Sequence, residues 1–223
     1  DIVEEEGKKN ELLAMANMDD RSFKKDFELL SDLPGTKTEV ENINQILTDA
    51  NLNTVVYLED EATENKLKKL KNPSVLHIAT HGFFDWQYEQ TKDNSRADRS
   101  VSVRDPLYRS GLMMAGSGFV VKLVEGKMSL INNLEDGVLS AYEVVNMDLS
   151  QTELVVLSAC LSGIGETKVK ETESFAGLPQ AFIIAGAKAV VTSGWSVDDT
   201  ATQELMTLFY SNLAKKMPKR EAL

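Results

Sequence analysis

The sequence predicts an α/β protein built on a parallel sheet with helices over both faces. Short apolar runs rich in β-branched residues alternate with stretches whose apolar residues recur at helical spacing. The most apolar of these runs, from Glu153 to Gly165, starts polar and finishes in glycines, the pattern of a buried strand entering a tight turn. The totals suit a packed core: of 223 residues, 42% are hydrophobic and 26% charged, enough for one or at most two globular domains.

Residues 1–10 are charged and read as a ragged end or the tail of a preceding helix. Glu11 to Asn17 reads as a first strand, with a composition that would also suit a helix. The polar stretch from Met18 to Asp32 is loop-like, anchored by Phe23 and Phe27. Leu33-Pro34-Gly35-Thr36 opens a helix, with Thr36 and Glu39 in the T-x-x-E spacing of a capping box and Val40, Ile43 and Leu47 on its buried face. Thr54 to Leu58 is expected as a second strand. A helix from Ala62-Thr63 follows, its lysines Lys66, Lys68, Lys69 and Lys71 forming a solvated face, with Pro73 ending it.

Ser74 to Thr80 is the third strand. Its alternation puts Val75, His77, Ala79 and His81 on one side and Leu76, Ile78 and Thr80 on the other. His77, one pleat deeper than the strand end, reads as a hydrogen-bonded core histidine. From Gly82 to Gln151 the connection is about 70 residues, too long for a plain crossover. Its first part, Asp85 to Asp105, is a charged and mobile insertion. Gly111 to Ala115 and Gly118 to Val124 are expected to form a hairpin, followed by a short helix from about Ser140 to Asn146. After the Cys160 strand comes a polar loop from Glu166 to Glu173, then a helix with Phe175, Leu178 and Phe182 inward. Lys188 to Ser193 is a fifth strand. Ser196 to Asp199 matches a second capping box and starts a last helix with Ala201, Leu205, Phe209 and Leu213 as its apolar stripe.

The composition also excludes functions. One cysteine rules out an internal disulfide framework and fits a reducing compartment, so a cytoplasmic location is expected. Two histidines and one cysteine supply no usual zinc or iron–sulfur ligand set, and no metal or cofactor is expected. Asp and Glu outnumber Lys and Arg by 35 to 24, a formal charge of −11 that opposes direct nucleic-acid binding and mildly favours basic partners. Calcium ligation by carboxylates stays open, without an EF-hand loop. No apolar run reaches membrane-spanning length. The start at Asp1, with no Met and no signal-peptide pattern, looks cut from something longer.

The chemistry-bearing residues converge on one sheet edge. His81 ends one strand and Cys160, the sole cysteine, ends another, and side chains at the carboxyl ends of parallel strands face the crevice where such sheets bind ligands. A buried free cysteine is otherwise a small hydrophobe, the alternative here. A neutral thiol is a poor nucleophile; a neighbouring imidazole can take its proton or hold the thiolate as an ion pair. Acyl transfer also needs donors for the oxyanion, and the small residues around both groups leave the Gly82 and Cys160 amides as candidates.

The strings His77-Ile-Ala-Thr-His81-Gly82-Phe83-Phe84 and Leu154-Val-Val-Leu-Ser158-Ala-Cys160-Leu-Ser-Gly163-Ile-Gly165 resemble the CHAT family of caspase-like cysteine peptidases, of clan CD. The resemblance extends to Leu33–Val40, Phe175–Ala187, Val190–Asp199 and Leu205–Tyr210, and covers nearly all of residues 11–214. It implies one CHAT domain over residues 1–223, folded as a caspase-like three-layer αβα sandwich with a mostly parallel six-stranded sheet. It implies a cysteine endopeptidase working through a thioester, with His81 as base, Cys160 as nucleophile and the Gly82 and Cys160 amides as oxyanion hole. Ser158, Trp195 and Asp199 are candidate substrate-binding residues. Asp199 is a candidate carboxylate for an Arg or Lys side chain of the substrate, and the competing reading for Asp198 and Asp199 is that acids in a first helical turn satisfy its dipole.

Implied partners are a polypeptide substrate and an N-terminal tetratricopeptide-repeat domain or regulatory partner, with no membrane association. Relatives serve in bacterial defence, so a regulated bacterial protease of defence or signalling is expected. Many members have Gly-Glu-Gly where this chain has Thr172-Glu173-Ser174. The caspase analogy also suggests cleavage at Lys168 or Lys170. A catalytically silent interaction module and another thiol acyl hydrolase are the alternative functions.

Overall fold

The computed structural model describes residues 33–84, 107, 110–117, 137–159, 161–163, 177–193 and 199–223. The expected strand at 11–17, the insertion at 85–105, the second hairpin strand at 118–124 and the loop at 166–173 lie outside the described residues, as do Lys168, Lys170, Phe175, Trp195 and Ser196.

Helix α1 spans Pro34–Asp49. Proline suits the first helical turn, because its missing N–H has no partner there in any case. The helix thus begins two residues ahead of the expected cap. Leu33 is the N-cap without a side-chain hydrogen bond, and the Thr36 hydroxyl donates to the Leu33 carbonyl at 2.7 Å. The capping box from Thr36 to Glu39 is therefore absent: Glu39 lies inside the helix and turns into the protein. Ile43 is buried on the inward face, with Leu47 packed against the same cluster.

Thr54 to Leu58, expected as a strand, pairs with no neighbour among the described residues. Val55 is 76% exposed, and only the alternate positions are half-buried. A 3-10 turn at Glu59–Glu61 leads to α2, Glu64–Lys68, whose N-cap Thr63 accepts from the Lys66 amide at 3.3 Å. Helix α2 ends before Pro73, so the proline marks the following turn rather than the helix end. Lys68 is no solvated lysine: it reaches the buried Glu64 and, at 2.6 Å, Glu143. Burial pulls the Lys68 ammonium down, but these two carboxylates outweigh it and hold the group above the ordinary lysine range. Glu64 also accepts from the Gly137 amide at 3.0 Å, which ties α2 to the segment that begins at Gly137.

The strands are β1 (Val75–Ala79), β2 (Gly82–Phe84), β3 (Ser110–Met113), β4 (Val138–Ser140), β5 (Leu154–Ser158), β6 (Leu161–Gly163) and β7 (Val190–Thr192). Among the described residues they pair as a parallel sheet, β1-β5-β7, and a mixed sheet, β4-β3-β2-β6. The two sheets share chain segments: β1 continues into β2, and β5 into β6. Strand β3 realises the expected strand at 111–115, but its partners are β2 and β4.

Helix α3 is Ala141–Val145. It carries the capping box expected elsewhere: the Ser140 hydroxyl accepts from the Glu143 amide, and the Glu143 carboxylate accepts from the Ser140 amide at 2.9 Å. Helix α4 is Leu178–Ile184, with Leu178 and Phe182 buried as expected. The last long helix, α5, spans Asp199–Ala214, and a short α6 follows at Lys219–Ala222. The inward face of α5 is Met206, Phe209, Tyr210 and Leu213. Leu205, expected inward, is 45% exposed, so the stripe is rotated by one residue from the i, i+4 row. Phe209 belongs to both patterns, and Tyr210 brings its large ring to the buried side.

Helices cover both faces of the parallel sheet. On one side Leu76, Ile78, Val155 and Leu157 pack with Leu67, Val144, Leu178 and Phe182 from α2, α3 and α4. On the other, Leu154 and Val156 pack with Ile43 of α1 and Met206, Phe209 and Tyr210 of α5. The split follows strand periodicity, with successive side chains going to opposite faces. Each fully buried large side chain contributes about 1.5–3 kcal/mol, and these layers position the strand ends.

Candidate active site

The sheet edge with His81 and Gly82 is assembled by two chain segments running side by side. Strand β1 pairs in parallel with β5, from Val75 opposite Leu154 to Ala79 opposite Ser158. Beyond it, β2 pairs in parallel with β6, from Gly82 opposite Leu161 to Phe84 opposite Gly163. Between them the Thr80 amide donates to the Ser158 carbonyl at 3.3 Å.

His81 falls in the gap between β1 and β2, half-buried. Its carbonyl accepts from the Met113 amide at 2.9 Å, and the Thr80 hydroxyl donates to the Met113 carbonyl, so β3 braces the turn on its other side. Gly82 is buried and opens β2. Cys160 and Trp195 lie outside the described residues. The neighbour before Cys160, Ala159, is buried, and its carbonyl accepts from the Ser193 hydroxyl at 3.1 Å at the end of β7. Asp199 is the first residue of α5. Ser158 is buried, and its hydroxyl donates to Glu39 Oε2 at 3.0 Å.

Beneath this edge is a polar cluster that the sequence did not flag as a unit. Glu39, 1% exposed, enters from α1. Its Oε1 stands 2.9 Å from His77 Nε2, close enough to interact but without the alignment of a hydrogen bond. The other ring nitrogen, His77 Nδ1, is 3.1 Å from the Tyr210 hydroxyl, and the two rings meet edge to face. Burial pushes the Tyr210 phenol well above its usual range, and the Glu39 carboxylate adds to the effect. His77 is thus the core histidine expected from its place in the strand. By spacing alone, Glu39 matches a helix cap. The available signal was the proline at position 34, which starts the helix early and leaves Glu39 on the face shared with Ile43.

The CHAT domain family model matches residues 2–223. No curated protein and no solved structure matches the chain. The match spans almost the whole sequence, and the chain belongs to the CHAT domain family, a caspase-like family. Among the described residues no helix is long and apolar enough to cross a membrane.

Proposed function

We propose that the protein is a cysteine endopeptidase in which Cys160 is the nucleophile and His81 its proton carrier. The observation that carries this reading is the register. Partners differ by 79 positions both before the site, Val75 with Leu154, and after it, Gly82 with Leu161. The reading carries that register through the gap and so pairs position 160 with position 81. Two adjacent parallel strand ends then offer one imidazole and one thiol to a shared crevice.

In this mechanism His81 accepts the thiol proton and the Cys160 sulfur attacks the scissile carbonyl carbon. The oxyanion is met by the Gly82 and Cys160 amides. Collapse breaks the C–N bond, and the leaving amine takes the proton from His81. Water, deprotonated by His81, then hydrolyses the thioester and frees the thiol. We assign Asp199 and Trp195 to substrate binding, Asp199 as the partner of an Arg or Lys side chain before the cleaved bond, and Ser158 to the support of this edge from beneath. The reading includes a complete caspase-like three-layer sandwich with a six-stranded sheet. It also includes a bacterial defence or signalling role in the cytoplasm, and regulation by an N-terminal tetratricopeptide-repeat domain or partner.

The test is a panel of fluorogenic peptides together with a peptide carrying an electrophile for Cys160. Cys160→Ala abolishes turnover, and His81→Ala lowers kcat about 10²–10⁴-fold and removes labelling. Labelling unchanged in His81→Ala means an ordinary exposed thiol. A labelled enzyme that cleaves no peptide points to another thiol acyl hydrolase, and a silent wild type points to an interaction module.

A further inference from the structure

Four polar side chains from four elements meet below the sheet edge: Glu39 of α1, His77 of β1, Ser158 of β5 and Tyr210 of α5. Glu39 is the centre, with one oxygen 3.0 Å from the Ser158 hydroxyl and the other 2.9 Å from His77 Nε2. The strands it joins are hydrogen-bonded neighbours, with His77 opposite Val156 and Ala79 opposite Ser158. Residues in register across a parallel pair project to the same side, and so do residues two apart along a strand. His77 and Ser158 therefore share the α1 and α5 side of the sheet. They stand four and two positions ahead of His81 and Cys160.

A carboxylate this deeply buried is costly in a core, and an apolar side chain in its place commonly serves stability as well or better. What an apolar residue cannot do is take a hydrogen bond from Ser158 on one strand while its second oxygen stands against the His77 ring on the other. We propose that Glu39 is a positioning residue, its carboxylate clasping β1 and β5 through His77 and Ser158 and so setting the spacing between His81 and Cys160. The inference rests on the cysteine–histidine reading of the site. The Ser193 bond to the Ala159 carbonyl holds the same strand end from the β7 side, so the nucleophile strand is fixed from both neighbours.

The experiment uses the full chain, whose single cysteine makes thiol chemistry specific to the site. Glu39→Gln keeps the shape and removes the charge; Ser158→Ala removes only the β5 arm and serves if the first variant does not fold. In folded variants, kcat on an Arg- or Lys-containing fluorogenic peptide falls about tenfold or more while KM stays within about twofold, as expected for displaced reacting groups. The iodoacetamide rate of Cys160 at pH 7 falls roughly threefold or more, toward that of His81→Ala. Folded variants that lose thermal stability but turn over and alkylate like wild type overturn the inference. If wild type cleaves no peptide while iodoacetamide still separates it from His81→Ala, the proteolytic reading falls. The alkylation rates of Glu39→Gln and Ser158→Ala then decide the positioning role on their own. Equal alkylation of wild type and His81→Ala overturns both.

Discussion

Tyr210 is buried against His77, and its phenol carries a pH signature that follows from that placement. Burial, then the Glu39 charge, raises its folded pKa above the ordinary value of 10.0. A raised folded pKa means stability that is fully present below the unfolded value and lost as pH rises through the folded one. Tyr210→Phe should cost about 1 kcal/mol at pH 7, through the lost bond to His77. That deficit should shrink by pH 11, where wild type alone must keep a phenol neutral. Urea unfolding of both proteins at the two pH values measures it, and an equal difference at both refutes it. The raised ammonium of Lys68 works in the same direction, losing its contribution only as strongly alkaline pH removes its proton. Residue identity was legible for His77, whose strand position gave its core role. It was not legible for Lys68, because the partner Glu143 is 75 positions away.

At the scale of elements, the turn after α4 is tightly constrained. Gly186 has φ +109, and a Cβ there would meet the Ser150 Cα and N at 2.8 Å. Gly186→Ala should therefore cost on the order of 2 kcal/mol. For a chain of this size the melting temperature should drop by about 4–8 °C. A calorimetric scan showing no shift would mean that the turn relaxes freely. Helix and strand types were legible from periodicity, as in β1, β5, β7, α3 and α4. Boundaries and caps were less so. The spacing of Thr36 and Glu39 matches a cap, yet Pro34 starts α1 two residues earlier. Ser140 and Glu143 form the real box at the head of α3. Thr54 to Leu58 has strand composition but no paired strand among the described residues; there Thr54 bonds to Asn44 and Lys66 lies over the Tyr57 ring.

For the molecule as a whole, the parallel sheet separates two apolar clusters, so distant substitutions on its two faces should act independently. Leu178→Ala, in the cluster with α2, α3 and α4, should cost about 2–5 kcal/mol, and Ile43→Val, in the cluster with α1 and α5, about 0.5–1.5 kcal/mol. Their sum should match the double variant within about 0.5 kcal/mol, since neither shares a partner with the other. A larger coupling in denaturant unfolding would show that the sheet transmits strain between its faces. The α/β class, the two faces of β1 and the family are legible along the chain, because local periodicity and contiguous motifs carry that information. Only tertiary structure decided that α1 sends Glu39 beneath the site to His77 and Ser158, and that β3 pairs with β2 and β4. It also decided that α5 turns Met206 and Tyr210 inward in place of Leu205. Each of these depends on which distant element supplies the neighbour, and periodicity along one segment does not encode its partner.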